Sequence, residues 1–587
     1  MTDALYFDSG KHRLFGWLHK PPPGRSTDSA VVVCKPFGYE AICAHRGVRA
    51  FADAAASLGL PALRFDYTGT GDSSEIDPDA DQLQIWTSDV VAAVREVQRI
   101  TGARRIYLLG FRLGALLAML ASARCDAVAG LVLVAPIVNG RRFVRELRTM
   151  RLAATMGAEP YRDSDVMEVS GFLLSAATIQ ALGNVDLKSP RLPPGAEMLV
   201  IDGASMPLAR AWSEELSRGG LSPSYRSLPG LVEMLMTAPQ FASIPTEMIS
   251  AMREWLTQRN DGVAPEVGNV ECQDSMTLAM PAFPLGAPVS ERAVHLPPDA
   301  VLFGIVSAPA INEIPRGAVI LINAGADYHV GASGIYVLLA RRWAQLGYVV
   351  LRLDLAGLGD SQTRVGRPDN EVFPPGAQDD IRAAVEWIRG QYGALEVTLG
   401  GFCSGAFHVL QAAISSIPVN RAIMVNAETY FWTESQSIYD RQTAELVHQP
   451  EAFGRQMLSL QSWKRLMRGQ IDIRYVLGTY SGRLWLALES GVRDIARRLR
   501  LPLPNDLGTQ LEAAVSRGVR LLFVFSRGEP GLNLLKLQAG VSLERLGEHC
   551  EVRIVDNADH VFSKLDSRRT VEQILTDELT SPQQRAL

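Results

Sequence analysis

Apolar residues recur along this chain in two rhythms. Short runs that are apolar on both faces, such as Ala30 to Cys34, Pro61 to Phe65, Ala318 to Ile322 and Val349 to Leu353, predict strands buried on both sides. Between them lie stretches of helical spacing. From Asp379 to Arg389, for example, Ile381, Ala384, Val385 and Ile388 fall on one face, as in an amphipathic helix. Strands of this kind alternating with helices predict an α/β fold whose mostly parallel sheet is covered on both sides.

The whole succession occurs twice. A predicted hairpin (Ala4 to Lys20; Glu291 to Ala308) opens each half, Leu14-Phe15-Gly16 returns as Leu302-Phe303-Gly304, and Arg64 to Ser73 returns as Arg352 to Ser361. Both shifts are 288 positions, and so constant an offset marks duplication of an entire domain. Gln258 to Ser290 is rich in Gly, Pro, Asn and Asp and follows neither rhythm, so it reads as the link. The expected organisation is a first domain at 1–257, a linker at 258–285 and a second domain at 286–587, which a length of 587 residues accommodates.

Composition adds exclusions. A hydrophobic fraction of 47% and a charged fraction of 21% are those of an ordinary globular protein. A net charge of −5 supplies no field that would gather nucleic acid, and no nucleic-acid partner is expected. No segment holds about 18 uninterrupted apolar residues, and Met1 to Gly10 has no basic stretch followed by an apolar run. The expectation is a cytoplasmic protein without a membrane span. Six cysteines stand apart with no Cys-x-x-Cys pair, so neither a disulfide framework nor a metal site is expected, nor any cofactor.

Cys403 is the residue of most chemical interest. It centres Gly401-Phe402-Cys403-Ser404-Gly405, between a predicted strand at Leu395 to Leu399 and a predicted helix at Ala406 to Ala413. A nucleophile between two glycines at a strand-to-helix bend is the arrangement that lifts a reactive side chain above a sheet edge. A helix amino terminus also favours thiolate over thiol. The first half has the same turn as Gly110-Phe111-Arg112-Leu113-Gly114, with arginine at its apex.

Together with the Asp-x-x-Gly-x-Gly-x-Ser turn (Asp354, Gly357, Gly359, Ser361), these motifs make the chain resemble the α/β-hydrolase superfamily over nearly its full length. The first half resembles hydrolase-like proteins found with bacterial exosortase and exopolysaccharide systems, in which arginine can occupy the elbow. The second half is similar to a related bacterial group with a cysteine elbow. The resemblance implies two tandem α/β-hydrolase domains, the second with a large helical lid at about 428–515.

In that fold the base follows the last strand, which makes His560, after Glu551 to Val555, the favoured partner of Cys403. The orienting acid is expected after the preceding strand, Leu521 to Phe525, where Glu529 stands; Glu428 is the alternative. The oxyanion hole falls to backbone N–H groups of Ser404 and of Gly325 or Ala326. Ser404 as nucleophile is disfavoured, being one position off the apex. His329 is read either as pocket-lining or as loop surface, and His408 as packing.

The first half has no histidine between His45 and His295, so it cannot assemble a triad. Arg112 there either belongs to a scaffold or binds an anion. The expected lid holds Tyr430, Phe431, Trp432, Trp463, Tyr475, Tyr480 and Trp485, and nine basic residues lie between Lys464 and Arg500. These suit an apolar acyl group and an acidic carrier protein or pantetheine phosphates, although internal packing and a solvated helix face explain them as well. The chemistry expected is acyl transfer from a thioester, borne by a carrier protein or CoA, through a covalent acyl-cysteine, as a thioesterase or acyltransferase. The alternatives are a non-catalytic scaffold and a dienelactone-type hydrolase.

Overall fold

The computed structural model describes residues 2–25, 27–154, 166–260, 273–278, 288–310, 314–432 and 506–581. By compactness the chain separates into two units. The first comprises 1–316, 326–371 and 563–568, and the second 317–325, 372–562 and 569–587.

The first sheet lies in the first unit. Its strands are Thr2–Ser9 (β1), His12–His19 (β2), Ser29–Cys34 (β3), Ala62–Phe65 (β4), Arg105–Phe111 (β5) and Val128–Val134 (β6); after a separate hairpin of Val166–Val169 (β7) and Phe172–Ser175 (β8) come Glu197–Gly203 (β9) and Ser224–Leu228 (β10). They run in the order β1-β2-β4-β3-β5-β6-β9-β10, antiparallel as far as β4 and parallel thereafter. β3 and β4 are buried at every position, as unbroken apolar runs demand when helices cover both faces. One such helix, Gln82–Thr101, begins where the Asp81 carboxylate accepts from the Gln84 N–H and ends at Gly102, whose φ of 67° suits glycine. It buries Leu83, Trp86, Val90, Val94 and Val97, the stripe that its spacing predicts.

The second sheet is built from Ser275–Leu278 (β11), Val289–His295 (β12), Phe303–Pro309 (β13), Ala318–Ile322 (β14), Val349–Asp354 (β15), Val397–Phe402 (β16), Arg421–Val425 (β17), Arg520–Ser526 (β18) and Cys550–Val555 (β19). Its order is β11-β12-β13-β15-β14-β16-β17-β18-β19. Apart from β11, this repeats the crossover order of the first sheet, and the expected pair of mostly parallel sheets is present. β11 lies in the stretch read as lacking any period. Four residues, with Met276 and Leu278 buried and Ser275 and Thr277 exposed, are too few for an alternation to stand out. Most of the expected lid, 433–505, lies outside the described residues. Tyr430 is buried, donating its hydroxyl to the Gly531 carbonyl at 2.9 Å, and Trp432 stacks on Phe373. Among the described residues no helix is long and apolar enough to cross a membrane.

Within the first unit the duplicated Asp/Ser turns are closed identically. Asp66 accepts from the Asp72 N–H and the Ser73 hydroxyl donates to the Asp66 carbonyl, while Asp354 and Ser361 do the same for Asp360. Each serine oxygen also accepts from a strand N–H, that of Phe15 or Phe303, at 2.9 and 2.8 Å. The turns then exchange charges: Arg64 pairs with Asp360, and Arg352 with Asp72. His329 joins the exchange, with Nδ1 2.7 Å from Asp354 and Nε2 2.7 Å from Asp72. Glu291 completes it, 2.7 Å from Arg341 and 3.2 Å from Arg352. All eight side chains are buried, so each charge depends on its partner rather than on water.

Candidate functional site

Both elbows share one backbone conformation. Arg112 turns at φ 51°, ψ −114° between β5 and the helix Leu113–Ser122, and Cys403 turns at φ 53°, ψ −118° between β16 and the helix Ser404–Ile414. A positive φ on such residues costs roughly 1–3 kcal/mol and persists only where the surroundings fix it. The flanking glycines are part of those surroundings. A Cβ on Gly401 would strike the backbone of Gly405, and one on Gly405 would strike the carbonyl oxygens of Ile322 and Asn323.

The second unit brings Cys403, His560 and Glu529 together. Cys403 is half-buried. His560 follows β19, and its Nδ1 lies 3.0 Å from a carboxylate oxygen of Glu529. Glu529 is buried and stands immediately before the helix Pro530–Leu546. Glu428 is also near, 3.6 Å from Nε2 of His560, but it is more than half exposed. The two candidate acids thus occupy different sides of one imidazole, Glu529 at Nδ1 and Glu428 at Nε2. The Cys403 sulfur, a ring nitrogen of His560 and a carboxylate oxygen of Glu428 all lie within 4.8 Å of one another.

The electrostatics favour a protonated ring. Burial pushes His560 down, but its hydrogen bond with Cys403, then that with Glu529, then the negative charges nearby hold it up, to about 11. Burial holds the Cys403 thiol above its ordinary value; the hydrogen bond with His560 pulls against that rise, and the Glu428 charge adds to it. The thiolate therefore depends on the imidazolium beside it.

Two residues that the sequence did not single out hold this loop. The Asn426 amide donates to the His560 carbonyl at 2.7 Å and to the Ser526 hydroxyl at 2.9 Å, and its oxygen accepts from the Ser526 N–H at 2.8 Å. The Ser526 hydroxyl in turn donates to the Asp559 carbonyl at 2.8 Å. Asn426 does this at φ 48°, a conformation asparagine tolerates better than most residues. Asn426 and Ser526 thereby tie the ends of β17 and β18 to the loop after β19.

The remaining expected residues fall out differently. The Ser404 side chain is buried and its hydroxyl accepts from the Gly325 N–H at 2.8 Å. That engages both groups with each other and takes Gly325 out of the expected oxyanion pair. The Ser404 N–H remains beside the sulfur, where it helps to pull the thiol down. Ala326, the other candidate, falls in the first unit. His329 is neither pocket-lining nor surface, the two readings its loop position suggested, but is enclosed between Asp72 and Asp354. Burial pushes it down, and those carboxylates, Asp354 first, raise it to about 10. His408 is packed, its Nε2 3.0 Å from the Val372 carbonyl, with burial lowering it to about 4. Arg112 is buried between Glu40, at 2.9 Å, and Glu146. The charge that an external anion would seek is already matched by two carboxylates.

Comparison with known proteins agrees with the fold of both halves. Residues 31–180 match the family model described as serine aminopeptidase, S33, and residues 317–462 match that of the alpha/beta hydrolase fold. No curated relative matches the chain. Similar solved structures include a member of the a/b serine hydrolases without a lid from Xanthomonas campestris, 18% identical, covering 45% of this chain and 96% of that one at a TM-score of 0.31. Est1E from Butyrivibrio proteoclasticus with ferulic acid bound is also 18% identical, covering 43% and 98% at a TM-score of 0.34. A putative hydrolase from Agrobacterium vitis is 17% identical, covering 44% and 99% at a TM-score of 0.32.

Proposed function

The chain carries two α/β-hydrolase folds in tandem, and we propose that the second, within 286–587, is an acyl-transfer enzyme acting through Cys403, His560 and Glu529, while the first, 1–257, is inert scaffold. The observation that carries this reading is the elbow thiol beside an imidazole whose Nδ1 is held by a buried carboxylate. A serine or thiol, a base and an orienting acid in that relation are the parts of nucleophilic acyl chemistry.

The steps follow from the charges. The Cys403 thiolate attacks the acyl carbon of a thioester, and the carbonyl electron pair moves to oxygen, toward the Ser404 N–H. As the intermediate collapses, the bond to the departing sulfur breaks and the imidazolium of His560 supplies that sulfur with its proton. His560, now neutral, takes a proton from water or from an acceptor hydroxyl or amine as it attacks the acyl-cysteine, which restores the thiolate–imidazolium pair. A cysteine nucleophile favours thioester donors because exchange between thioesters is nearly balanced in energy.

The test is intact-mass spectrometry after incubation with acyl-CoA and p-nitrophenyl esters of short, long and aromatic acids. Wild type gains one acyl mass and Cys403→Ala gains none. No adduct from any donor would leave the scaffold reading for both halves. Asn426→Ala, which releases the His560 loop without touching a reacting atom, is expected to slow acylation about tenfold to 100-fold, as misplacement of roughly 1 Å does. Stopped-flow release of p-nitrophenol reads that rate, and an unchanged rate would remove Asn426 from the argument.

A further inference from the structure

Glu428 has no part in the chemistry above, yet its carboxylate lies within 4.8 Å of both the thiol sulfur and a ring nitrogen of His560. We propose that Cys403, His560 and Glu428 form a binding site for one zinc-type divalent ion, and that occupancy shuts off the thiol; the inhibition, though not the binding, rests on the acyl-transfer reading.

The donors are chemically suited. Thiolate, neutral imidazole and carboxylate are the groups zinc takes, and three protein donors leave a fourth position to water. Bond lengths of about 2.0–2.3 Å put tetrahedral donor atoms roughly 3.3–3.8 Å apart. His560 Nε2 and Glu428 Oε1 already lie 3.6 Å apart, and the whole set lies within 4.8 Å, so closure asks for movements of about 1 Å. Glu529 at Nδ1 is the outer carboxylate that metal-ligating histidines usually have. It fixes Nε2 as the nitrogen that faces the ion. His560 is about a third exposed and Glu428 more than half, which gives the ion a way in. As the metal–sulfur and metal–nitrogen bonds form from the thiolate–imidazolium pair, the proton on Nε2 leaves to solvent and Nδ1 keeps its own toward Glu529. Sulfur so bound shares its negative charge with the ion, which also occupies the space from which an acyl carbon would be attacked and the nitrogen that would move the proton.

The other histidine–carboxylate cluster does not qualify. His329, Asp354 and Asp360 are also within 4.8 Å of one another, but both ring nitrogens of His329 already face carboxylates and Arg64 pairs with Asp360. A dication there would meet a set of charges already balanced.

The experiment uses the full chain stripped with EDTA and titrated with cobalt(II), whose thiolate charge-transfer band reports sulfur ligation. Wild type should take one equivalent with that band, Cys403→Ser should lose the band, and Glu428→Gln should bind about tenfold more weakly or worse. Zinc should displace the cobalt and, in the acylation assay, stop adduct formation until EDTA is added. Absence of the band, a band that survives in Cys403→Ser, or unchanged affinity in Glu428→Gln overturns the proposal. Acylation measured in EDTA is independent of it: a protein that acylates without the band refutes only the metal site, and one that shows the band without ever acylating refutes only the acyl chemistry.

Discussion

Replacing His560 with alanine is expected to slow acylation of Cys403 by about 10²–10⁴-fold, the range that a positioned proton-transfer group contributes. Two effects combine. The departing sulfur loses its proton donor, and the thiol loses the hydrogen bond that opposes the upward push of burial. The second effect has its own signature. Alkylation of Cys403 by iodoacetamide, followed against pH, should shift to higher pH in His560→Ala. It should shift to lower pH in Glu428→Gln, because the Glu428 charge raises the thiol. Coincident profiles for wild type and His560→Ala would mean that the imidazole does not govern the thiol, and the proposed chemistry would fall with it.

Much of this site was legible because the fold states its chemistry at strand ends. Gly401 and Gly405 mark the elbow, and the order of strands assigns His560 and Glu529 to the loops after β19 and β18. Both assignments rest on the resemblance to the α/β-hydrolase fold, which says after which strands the base and the acid stand, and on counting elements to reach those loops. Asn426 and Ser526 were not legible for a related reason. They act by joining loops 100 and 134 positions apart, and an asparagine at a strand end has no period to betray it. The error over His329 has the same origin, since a polar residue in a glycine-rich loop reads as surface unless its partner is known, and Asp72 lies 257 positions earlier. The Asp/Ser turns were recognised as a repeat, but the repeat also contained the explanation of their charges. Arg64 and Arg352 are equivalent positions, as are Asp72 and Asp360, and each arginine pairs with the aspartate of the other copy. Identical motifs are therefore compatible with exchange between copies, a relation that no single motif can express.

That exchange makes Asp72 the most sensitive position outside the site. Asp72→Ala takes a carboxylate from both Arg352 and His329, leaving two buried cations short of a partner, and removing one side of a buried pair typically costs about 3–5 kcal/mol. For a domain whose total stability is roughly 5–15 kcal/mol, the first unit should unfold at a markedly lower denaturant concentration. Urea denaturation followed by tryptophan fluorescence reads it, since Trp17 is buried against Phe303 in that unit. Exposed Asp126 supplies the control, and Asp126→Ala should lie within about 0.5 kcal/mol of wild type. The pH dependence tests the same network from its other partner. His329 is raised to about 10 in the folded protein, against about 6.5 unfolded. The folded state thus holds the extra proton, so the contribution of His329 is complete below about pH 6.5 and is lost progressively as pH rises toward 10. His329→Gln should lower stability at pH 6 and flatten the decline between pH 7 and 10. A decline of equal slope in wild type and His329→Gln would mean that the ring is not held as an imidazolium between Asp72 and Asp354.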